Sequence, residues 1–288
     1  MRTLMDNGLT RDAIVEGVFY PAEPEAMVEE MEELVRPFFA ENHTPRPIAL
    51  FLPHASWTYA GRLLGKAFAK VAQFKGLFSR VAMWSRVHRE PQSALFLPES
   101  SFFATPIGEL SLDREAYSAM HNLTGFFRTD EFAHLEEHAL EVAFPFVARY
   151  VPDARVLPVL AGDTSCDLMR ELGRGLSAAY GGRWKDVLFI ISSNLSTFEE
   201  PIDGSRTADT FVEQVLSYNI DELIEAACRD GASHSLRLLL PFLLFARIED
   251  IQLHFNLLGR DSSPVEFGKC VQYGAFLISG GTYDATYG

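Results

Sequence analysis

The chain has 288 residues, of which 48% are hydrophobic, so it is long enough to bury a large core. Asp and Glu outnumber Lys and Arg by 39 to 25, and the net charge of −14 argues against binding to nucleic acids or to anionic membrane surfaces. The N-terminus lacks the apolar stretch of a signal peptide. The most apolar later run, 236–246, is interrupted by Arg237 and Pro241 and is too short to span a bilayer.

Short apolar runs predict six strands in the chain. They lack polar alternation, which is typical of strands that are covered on both faces. In chain order, the predicted strands are Ile48–Leu52, Arg80–Trp84, Arg155–Leu160, Asp186–Ser192, Ile251–Leu258 and Val271–Ser279.

Helical patterns lie between these strands. The predicted helices are Pro24–Phe38, Ala60–Phe74, Asp113–His121, Ala133–Tyr150, Ser165–Tyr180, Thr207–Ser217 and His234–Ala246. The segment Trp84–Asp113 is rich in Ser, Pro and Phe and predicts a long excursion with a short hairpin. The alternation predicts an α/β fold with a mostly parallel or mixed central sheet and helices on both faces. We expect a single domain over residues 1–280 and a flexible tail over 281–288.

Polar residues follow several of the predicted strands. His54 follows the first strand, His88 follows the second, and the run SSNLSTF (192–198) ends a later one. Ligands of open α/β sheets bind outside the carboxyl ends of the strands, so these residues indicate one site at that edge. Each histidine alone could instead be a hydrogen-bonded structural residue, and SSNLS alone is a common turn and N-cap sequence.

A competing motif is HLEEH, residues 134–138. It fits the H-x-x-E-H pattern of inverted zinc proteases, in which two histidines on one helix face bind zinc and the glutamate acts as a base. Only three positions are fixed, and Pro145 follows closely. The alternative is an ordinary helix with acidic residues in its first turn.

The three cysteines, Cys166, Cys228 and Cys270, are widely spaced and form no C-x-x-C pair. Their odd number and spacing predict free thiols in a reducing compartment, and therefore a cytoplasmic protein.

Seven segments occur in an order that resembles one known family, the MEMO family. They are GVFYPAEPEAM (17–27), PHASWTYAG (53–61), SRVHRE (85–90), TPIGELSLD (105–113), EEHALEVAFPF (136–146), VLPVLAGD (156–163) and ISSNLSTF (191–198). The resemblance covers nearly the whole chain. It implies a fold similar to that of class III extradiol ring-cleaving dioxygenases, which hold Fe(II) with two histidines and a carboxylate.

The resemblance also implies site residues. His54 and His88 match the two family histidines that bind metal, and Asp230 matches the third ligand, with Cys228 as the alternative. Two histidines and a carboxylate suit non-haem Fe(II). Asp230 could instead cap the helix that begins near Ser233. His138 corresponds to a family histidine and is expected to be a catalytic residue in the same cleft, or a supporting one.

The departures from the family pattern affect the expected chemistry. The motif G-P-S-H-H reads SRVHR here, so only one of its two histidines, His88, is present and the loop lacks its Gly-Pro. The motif S-S-D-L-S-H-Y reads SSNLSTF, so Asn194 replaces the acid and Thr197 replaces the histidine that serves as acid–base group. A threonine hydroxyl is too weak an acid and base for that role near neutral pH.

The first expected function is therefore a MEMO-like protein that binds Fe(II), Cu or Zn, with altered or weakened chemistry of a metal-dependent oxidoreductase or dioxygenase type. The alternative is a binding or scaffold protein without a metal. An active extradiol dioxygenase and a zinc protease rank behind these. Expected partners are a small molecule or peptide in the cleft, with a protein partner or a homo-oligomer as further options.

Overall fold

The computed structural model describes residues 8–39, 44–89, 92–123 and 125–281. Its main sheet has eight strands: β2 (Pro47–Leu52), β3 (Arg80–Arg86), β4 (Leu95–Leu97), β7 (Phe127–Thr129), β8 (Arg155–Ala161), β9 (Val187–Ser192), β10 (Gln252–Ser262) and β11 (Gln272–Gly281). The strand order is β10-β11-β2-β9-β3-β8-β4-β7. All six predicted strands are confirmed.

The middle of the main sheet is parallel. β2 pairs with β9, β9 with β3, and β3 with β8, all in parallel. β11 joins β2 antiparallel, and β4 joins β8 antiparallel. β2 and β9 are buried at every residue, because helices cover both faces of the sheet. The predicted α/β class with a mixed central sheet is thereby confirmed.

A smaller sheet contains β1 (Thr10–Arg11), β5 (Phe102–Thr105) and β6 (Gly108–Ser111), in the order β1-β5-β6. β5 and β6 form an antiparallel hairpin, which confirms the hairpin predicted within 84–113. β1 adds to β5 in parallel. This sheet brings the N-terminal segment close to the loop that carries Glu137, because Arg11 donates hydrogen bonds to the carbonyl oxygens of His134 (2.8 Å) and Glu137 (3.0 Å).

Nine α-helices lie in the described parts of the chain. They are α1 (Pro24–Val35), α2 (Trp57–Ala72), α3 (Arg114–His121), α4 (Glu131–Leu135), α5 (Phe144–Tyr150), α6 (Cys166–Tyr180), α7 (Pro201–Ser217), α8 (Ile220–Ala227) and α9 (His234–Ile248). Short 3-10 helices occupy Arg36–Phe38, Glu141–Ala143 and Trp184–Asp186. None of the helices described is long and apolar enough to cross a membrane.

One predicted helix, Ala133–Tyr150, is wrong. The chain forms α4, then an irregular stretch and a 3-10 helix, and only then α5. Asp130 caps α4 by accepting a hydrogen bond from Ala133 N, and Pro145 lies in the first turn of α5, where a missing N–H costs nothing. The interruption matters because His138 lies within it.

One further difference concerns the C-terminal half. α8 was not predicted, although Asn219 and Glu222 form a capping box at its start. The predicted helix His234–Ala246 is confirmed as α9, which continues on both sides of Pro241. The domain boundary at 280 stays a prediction, and residues 282–288 of the predicted tail lie outside the described residues.

Candidate functional site: a histidine cluster at the strand ends

The carboxyl ends of β2, β9, β3 and β8 share one edge of the sheet because these strands are parallel neighbours. His54 follows β2, His88 follows β3, and Ser192 ends β9. The structure therefore brings the strand-end residues that the sequence singled out to one place. They line a cleft of about 590 Å³ whose wall includes His54, Arg86, His88, Asn194, Phe198 and His234.

His54, His88 and His138 form a compact histidine cluster. The ring centroids of His54 and His88 are 4.9 Å apart, those of His88 and His138 are 5.1 Å apart, and those of His54 and His138 are 6.1 Å apart. His138 reaches this position from the irregular stretch between α4 and the following 3-10 helix. Phe19 packs edge-on against the His138 ring at 5.0 Å.

Glu137 supports two rings of the cluster. Its carboxylate accepts hydrogen bonds from the His88 backbone N–H (2.7 Å), from His88 Nδ1 (3.0 Å) and from the backbone N–H of Ala139 (2.9 Å). His138 Nδ1 lies 3.3 Å from the same carboxylate. Burial alone would raise the pKa of Glu137, but the hydrogen bonds from His88 and the charges of His88 and His138 lower it to about 2.

An ionised Glu137 fixes the protonation of His88. A carboxylate only accepts hydrogen bonds, so Nδ1 of His88 carries the proton in the neutral ring and its Nε2 keeps a free lone pair. His138 Nδ1 faces the same carboxylate at 3.3 Å without a hydrogen bond. Burial, followed by the positive charge of His88, lowers the pKa of His138, while Glu137 opposes this shift.

Ser192 fixes the tautomer of His54 in a similar way. The Ser192 hydroxyl donates its proton to the carbonyl oxygen of Ala139 (2.6 Å) and lies 3.1 Å from His54 Nδ1. The hydroxyl oxygen must therefore accept a hydrogen bond from His54 Nδ1–H, which leaves Nε2 unprotonated. Burial, together with the positive charges of His88 and His138, holds the pKa of His54 well below its ordinary value.

The cluster contains the donor atoms that a transition metal requires. Among the described residues, one group of three possible ligands has its ligand atoms within 4.8 Å of one another: His88, Glu137 and His138. Neutral imidazole nitrogens bind Zn, Cu and Fe, and a buried carboxylate on Nδ1 commonly orients such ligands. The residues present thus fit a metal ion chemically.

Asp230 lies apart from the histidine cluster. It is exposed in the turn between α8 and α9 and lines a different cavity, with Arg206 and Arg229. Ser233, rather than Asp230, caps α9 by accepting a hydrogen bond from Leu236 N. Metal binding by Asp230 stays a prediction, and the geometry favours His138 over it as the companion of His54 and His88.

Cys228 is not a free thiolate, so the alternative third ligand is wrong. It forms a disulfide with Cys166, with a Cα–Cα distance of 5.2 Å. The prediction of free thiols holds for Cys270 alone, which is buried. The disulfide joins the start of α6 to the end of α8, beside the turn that carries Gly231 and Ser233 into the cleft wall.

The zinc-protease interpretation of HLEEH is also wrong. α4 ends at Leu135, so His134 and His138 do not share a helix face. His134 is buried and its Nε2 binds the carbonyl oxygen of Phe96 (3.1 Å). Burial lowers the pKa of His134 to about 3, which identifies it as a neutral structural residue.

Position 197 carries no acid–base group. Thr197 is exposed, and its hydroxyl donates a hydrogen bond to Glu199 (2.6 Å). Asn194 keeps one structural role, because its Oδ1 accepts a hydrogen bond from the His54 backbone N–H (3.1 Å). The sequence did not predict Glu137 as the support of the histidines, the contact of Ser192 with His54, or His234 as a residue of the cleft wall. The signal for Glu137 was its place next to His138 in the EEH motif.

Known proteins of one family are similar to this chain. A MEMO1 family protein of Desulfurococcus amylolyticus is 26% identical over 232 residues, which cover 77% of this chain and 82% of that protein. A MEMO1 family protein of Archaeoglobus fulgidus is 27% identical over 219 residues, covering 76% of this chain and 80% of that protein.

A solved structure, that of uncharacterized protein JW3007 from Escherichia coli K12, is similar with a TM-score of 0.48 and 12% identity, covering 80% of this chain and 98% of that chain. This degree of likeness supports no conclusion on its own. The model of the family described as Memo-like protein matches residues 11–235. The chain therefore belongs to the Memo-like protein family.

Proposed function

We propose that this chain is a metal-binding Memo-like protein that holds one transition-metal ion through Nε2 of His54, His88 and His138. The observation that carries the proposal is that the three rings lie together, with centroids 4.9, 5.1 and 6.1 Å apart, and that Nδ1 of His54 and Nδ1 of His88 are hydrogen-bonded to Ser192 and Glu137, which leaves the Nε2 atoms of these two rings for a ligand. Fe(II), Cu and Zn are all compatible with imidazole ligands. A bound ion would supply Lewis-acid or oxygen chemistry to a ligand in the cleft.

The chemistry at this site is proposed to be weakened relative to a ring-cleaving dioxygenase. Such an enzyme needs a group that moves a proton next to the metal, and Thr197, which is hydrogen-bonded to Glu199, cannot serve. His138 is the other titratable group beside His54 and His88, and as a metal ligand it would not be free to act as acid or base. A binding protein of the same fold without a metal is the second candidate. The presence of threonine instead of an acid–base histidine at position 197 favours it as well.

A cytoplasmic location was predicted from free cysteines. The Cys166–Cys228 disulfide removes that support, because disulfides persist mainly in oxidising compartments.

The test is the metal content of protein purified without a metal-affinity column and then offered Fe(II) without oxygen, Cu or Zn in separate samples. We expect about one ion per chain, with His54→Ala and His88→Ala each losing it. His254→Ala is the matched control, because His254 is exposed on β10 and lies outside the cluster. Absence of stoichiometric metal under every loading condition would leave the metal-free binding protein as the function.

A further inference from the structure

We infer that the Cys166–Cys228 disulfide is a redox-active site, which a dithiol reductant opens and which thereby controls the turn between α8 and α9. The inference goes beyond the proposed function and does not depend on a metal. Three observations carry it: the exposure of the two cysteines, their places at the ends of two helices, and the small number of other bonds that hold the turn.

A reductant can approach the disulfide while the chain stays folded. Cys166 and Cys228 are both partly exposed, whereas the third cysteine, Cys270, is only 3% exposed. Exposed disulfides are typically the labile and regulatory ones, because a thiol can reach their sulfur atoms without unfolding the protein. The disulfide therefore differs from the buried thiol in being open to exchange in the native state.

The two cysteines lie at opposite ends of helix dipoles. Cys166 is the first residue of α6, directly after the N-cap Ser165, and Cys228 is the C-cap of α8. The positive end of a helix dipole stabilises a thiolate, and the negative end opposes one. Asp167, the acid next to Cys166, lies 3.6 Å from the guanidinium of Arg170. Cys166 is therefore the better leaving group of the two sulfur atoms.

This difference sets the course of the exchange. A thiolate of the reductant attacks Sγ of Cys228 and forms a new S–S bond there, while the bond to Cys166 breaks and leaves its electron pair on Sγ of Cys166. The Cys166 thiolate takes up a proton from water. The second thiolate of the reductant then attacks the reductant's own sulfur and releases Cys228, which is protonated in turn. The reductant leaves as a disulfide, and the protein has gained two electrons and two protons.

The turn that follows Cys228 has little else to hold it. Within residues 229–233, the N–H of Ala232 donates to the carbonyl oxygen of Arg229 (3.2 Å), and Gly231 is exposed. In the part of the chain that the structure describes, no hydrogen bond or ion pair joins this turn to a segment outside 225–237. The disulfide is thus the bond that attaches the turn to α6.

The turn and the start of α9 form part of the cleft wall. The hydroxyl of Thr164, two residues before Cys166, lies 2.6 Å from Nδ1 of His234 in that wall. This hydrogen bond and the disulfide join the same two segments. One residue further along, the Ser235 hydroxyl donates to the carbonyl oxygen of Asn194 (2.8 Å) and ties α9 to the end of β9. We therefore expect an open disulfide to free the turn while α9 stays in place.

The first experiment offers dithiothreitol to the folded full chain without denaturant and counts the thiols after the reductant is removed. We expect two additional reactive thiols per chain, with an unchanged circular dichroism spectrum. Cys270→Ser is the matched control and should be reduced at the same rate, because Cys270 is buried and outside the disulfide. A disulfide that opens only in urea would overturn the inference and identify a static cross-link.

The second experiment tests which sulfur leaves. Cys228→Ser keeps Cys166 as a thiol, and Cys166→Ser keeps Cys228. Iodoacetamide should alkylate Cys166 about tenfold faster than Cys228 near neutral pH, because the thiolate is the reactive form. If either variant fails to fold, glutathione offered to the unaltered chain and trapped by acid should be found on Cys228. Equal alkylation rates, or glutathione mainly on Cys166, would overturn the exchange as written.

The third experiment compares amide hydrogen exchange in the oxidised and the reduced chain by mass spectrometry. Segment 225–237 should exchange about tenfold faster or more after reduction, because its local opening is no longer restrained. Segments 57–72 and 187–192, which form α2 and β9, should be unchanged. An unchanged rate in 225–237, or an equal increase in all three segments, would overturn the control of the turn by the disulfide.

Discussion

Glu137 holds His88 by both its backbone and its side chain. The carboxylate accepts the backbone N–H at 2.7 Å and Nδ1 at 3.0 Å, while the side chain of Glu137 is only 4% exposed. One buried charge thus fixes the path of the chain after β3 and the orientation of the ring. It links the geometry of the histidine cluster to the stability of the fold.

Glu137→Gln should lower metal affinity about 10- to 100-fold, the usual cost of losing a partner that orients a ligand. The amide has one acceptor oxygen and an N–H₂ group, so it cannot accept from the backbone N–H groups of both His88 and Ala139, which bind different oxygens of the carboxylate. Dissociation constants measured by competition with a chelator test this. Glu136→Gln is the control, because Glu136 is exposed and pairs with Arg89. An unchanged affinity in Glu137→Gln would show that Glu137 does not orient the ligands.

The metal-free protein should lose stability as the pH falls below about 6.5. The pKa values of His54 and His138 are lowered in the folded chain, so the unfolded chain takes up protons first, starting near the ordinary value of 6.5. The contribution of Glu137 is fully present above its ordinary value of 4.5 and is lost as the pH falls towards about 2. That contribution is on the order of 3 kcal/mol.

Urea unfolding at a series of pH values measures this dependence. In Glu137→Gln the decline below pH 4.5 should be shallower, whereas the decline between pH 6.5 and 4.5 should persist. A free energy of unfolding that is constant from pH 7 to 4 would contradict the neutral, buried state of the histidines.

Ser192→Ala should lower the free energy of unfolding by about 1–3 kcal/mol, because it leaves a buried donor on His54 and a buried carbonyl on Ala139 without a partner. Ser217→Ala, at the exposed end of α7, should change it by less than about 0.5 kcal/mol. Chemical denaturation measures both. If Ser192→Ala lowers the free energy of unfolding by no more than Ser217→Ala does, water replaces the Ser192 hydroxyl at no energetic cost.

When the chain is unfolded without reductant, Cys270 should be the only one of the three cysteines that reacts with a thiol reagent. After reduction all three should react. Replacing Cys166 and Cys228 together by serine should lower the free energy of unfolding by about 2–4 kcal/mol, the usual contribution of a disulfide. Three reactive thiols in the unreduced protein would refute the pairing.

The part of the site that follows from local patterns was predictable. His54 and His88 follow apolar runs that form strands. Parallel strands place the residues that follow them at the carboxyl-terminal edge of the sheet, independently of the loop sequences. The position of His138 was harder to predict, because it depends on a break between α4 and α5, where the sequence pattern indicates one continuous helix. Glu137 orients a histidine only because it contacts His88, which is 49 residues away in the sequence. No local sequence pattern predicts such a contact.

The role of Asp230 and the pairing of the cysteines were not predictable from local patterns. Asp230, whose metal binding stays a prediction, lies in a loop, and loop positions carry little information about where a side chain lies. Cys166 and Cys228 are 62 residues apart and meet because the start of α6 lies near the end of α8, a matter of tertiary packing.

The strand order has a consequence for how the chain is made on the ribosome. β2 leaves the ribosome before both of its neighbours in the sheet, β9 and β11, which lie more than 130 positions later in the numbering. Its six apolar residues therefore have no partner strand until those later segments have been synthesised. Such a segment is a natural target for chaperones that shield nascent chains, and folding can be completed only after the last strand has emerged.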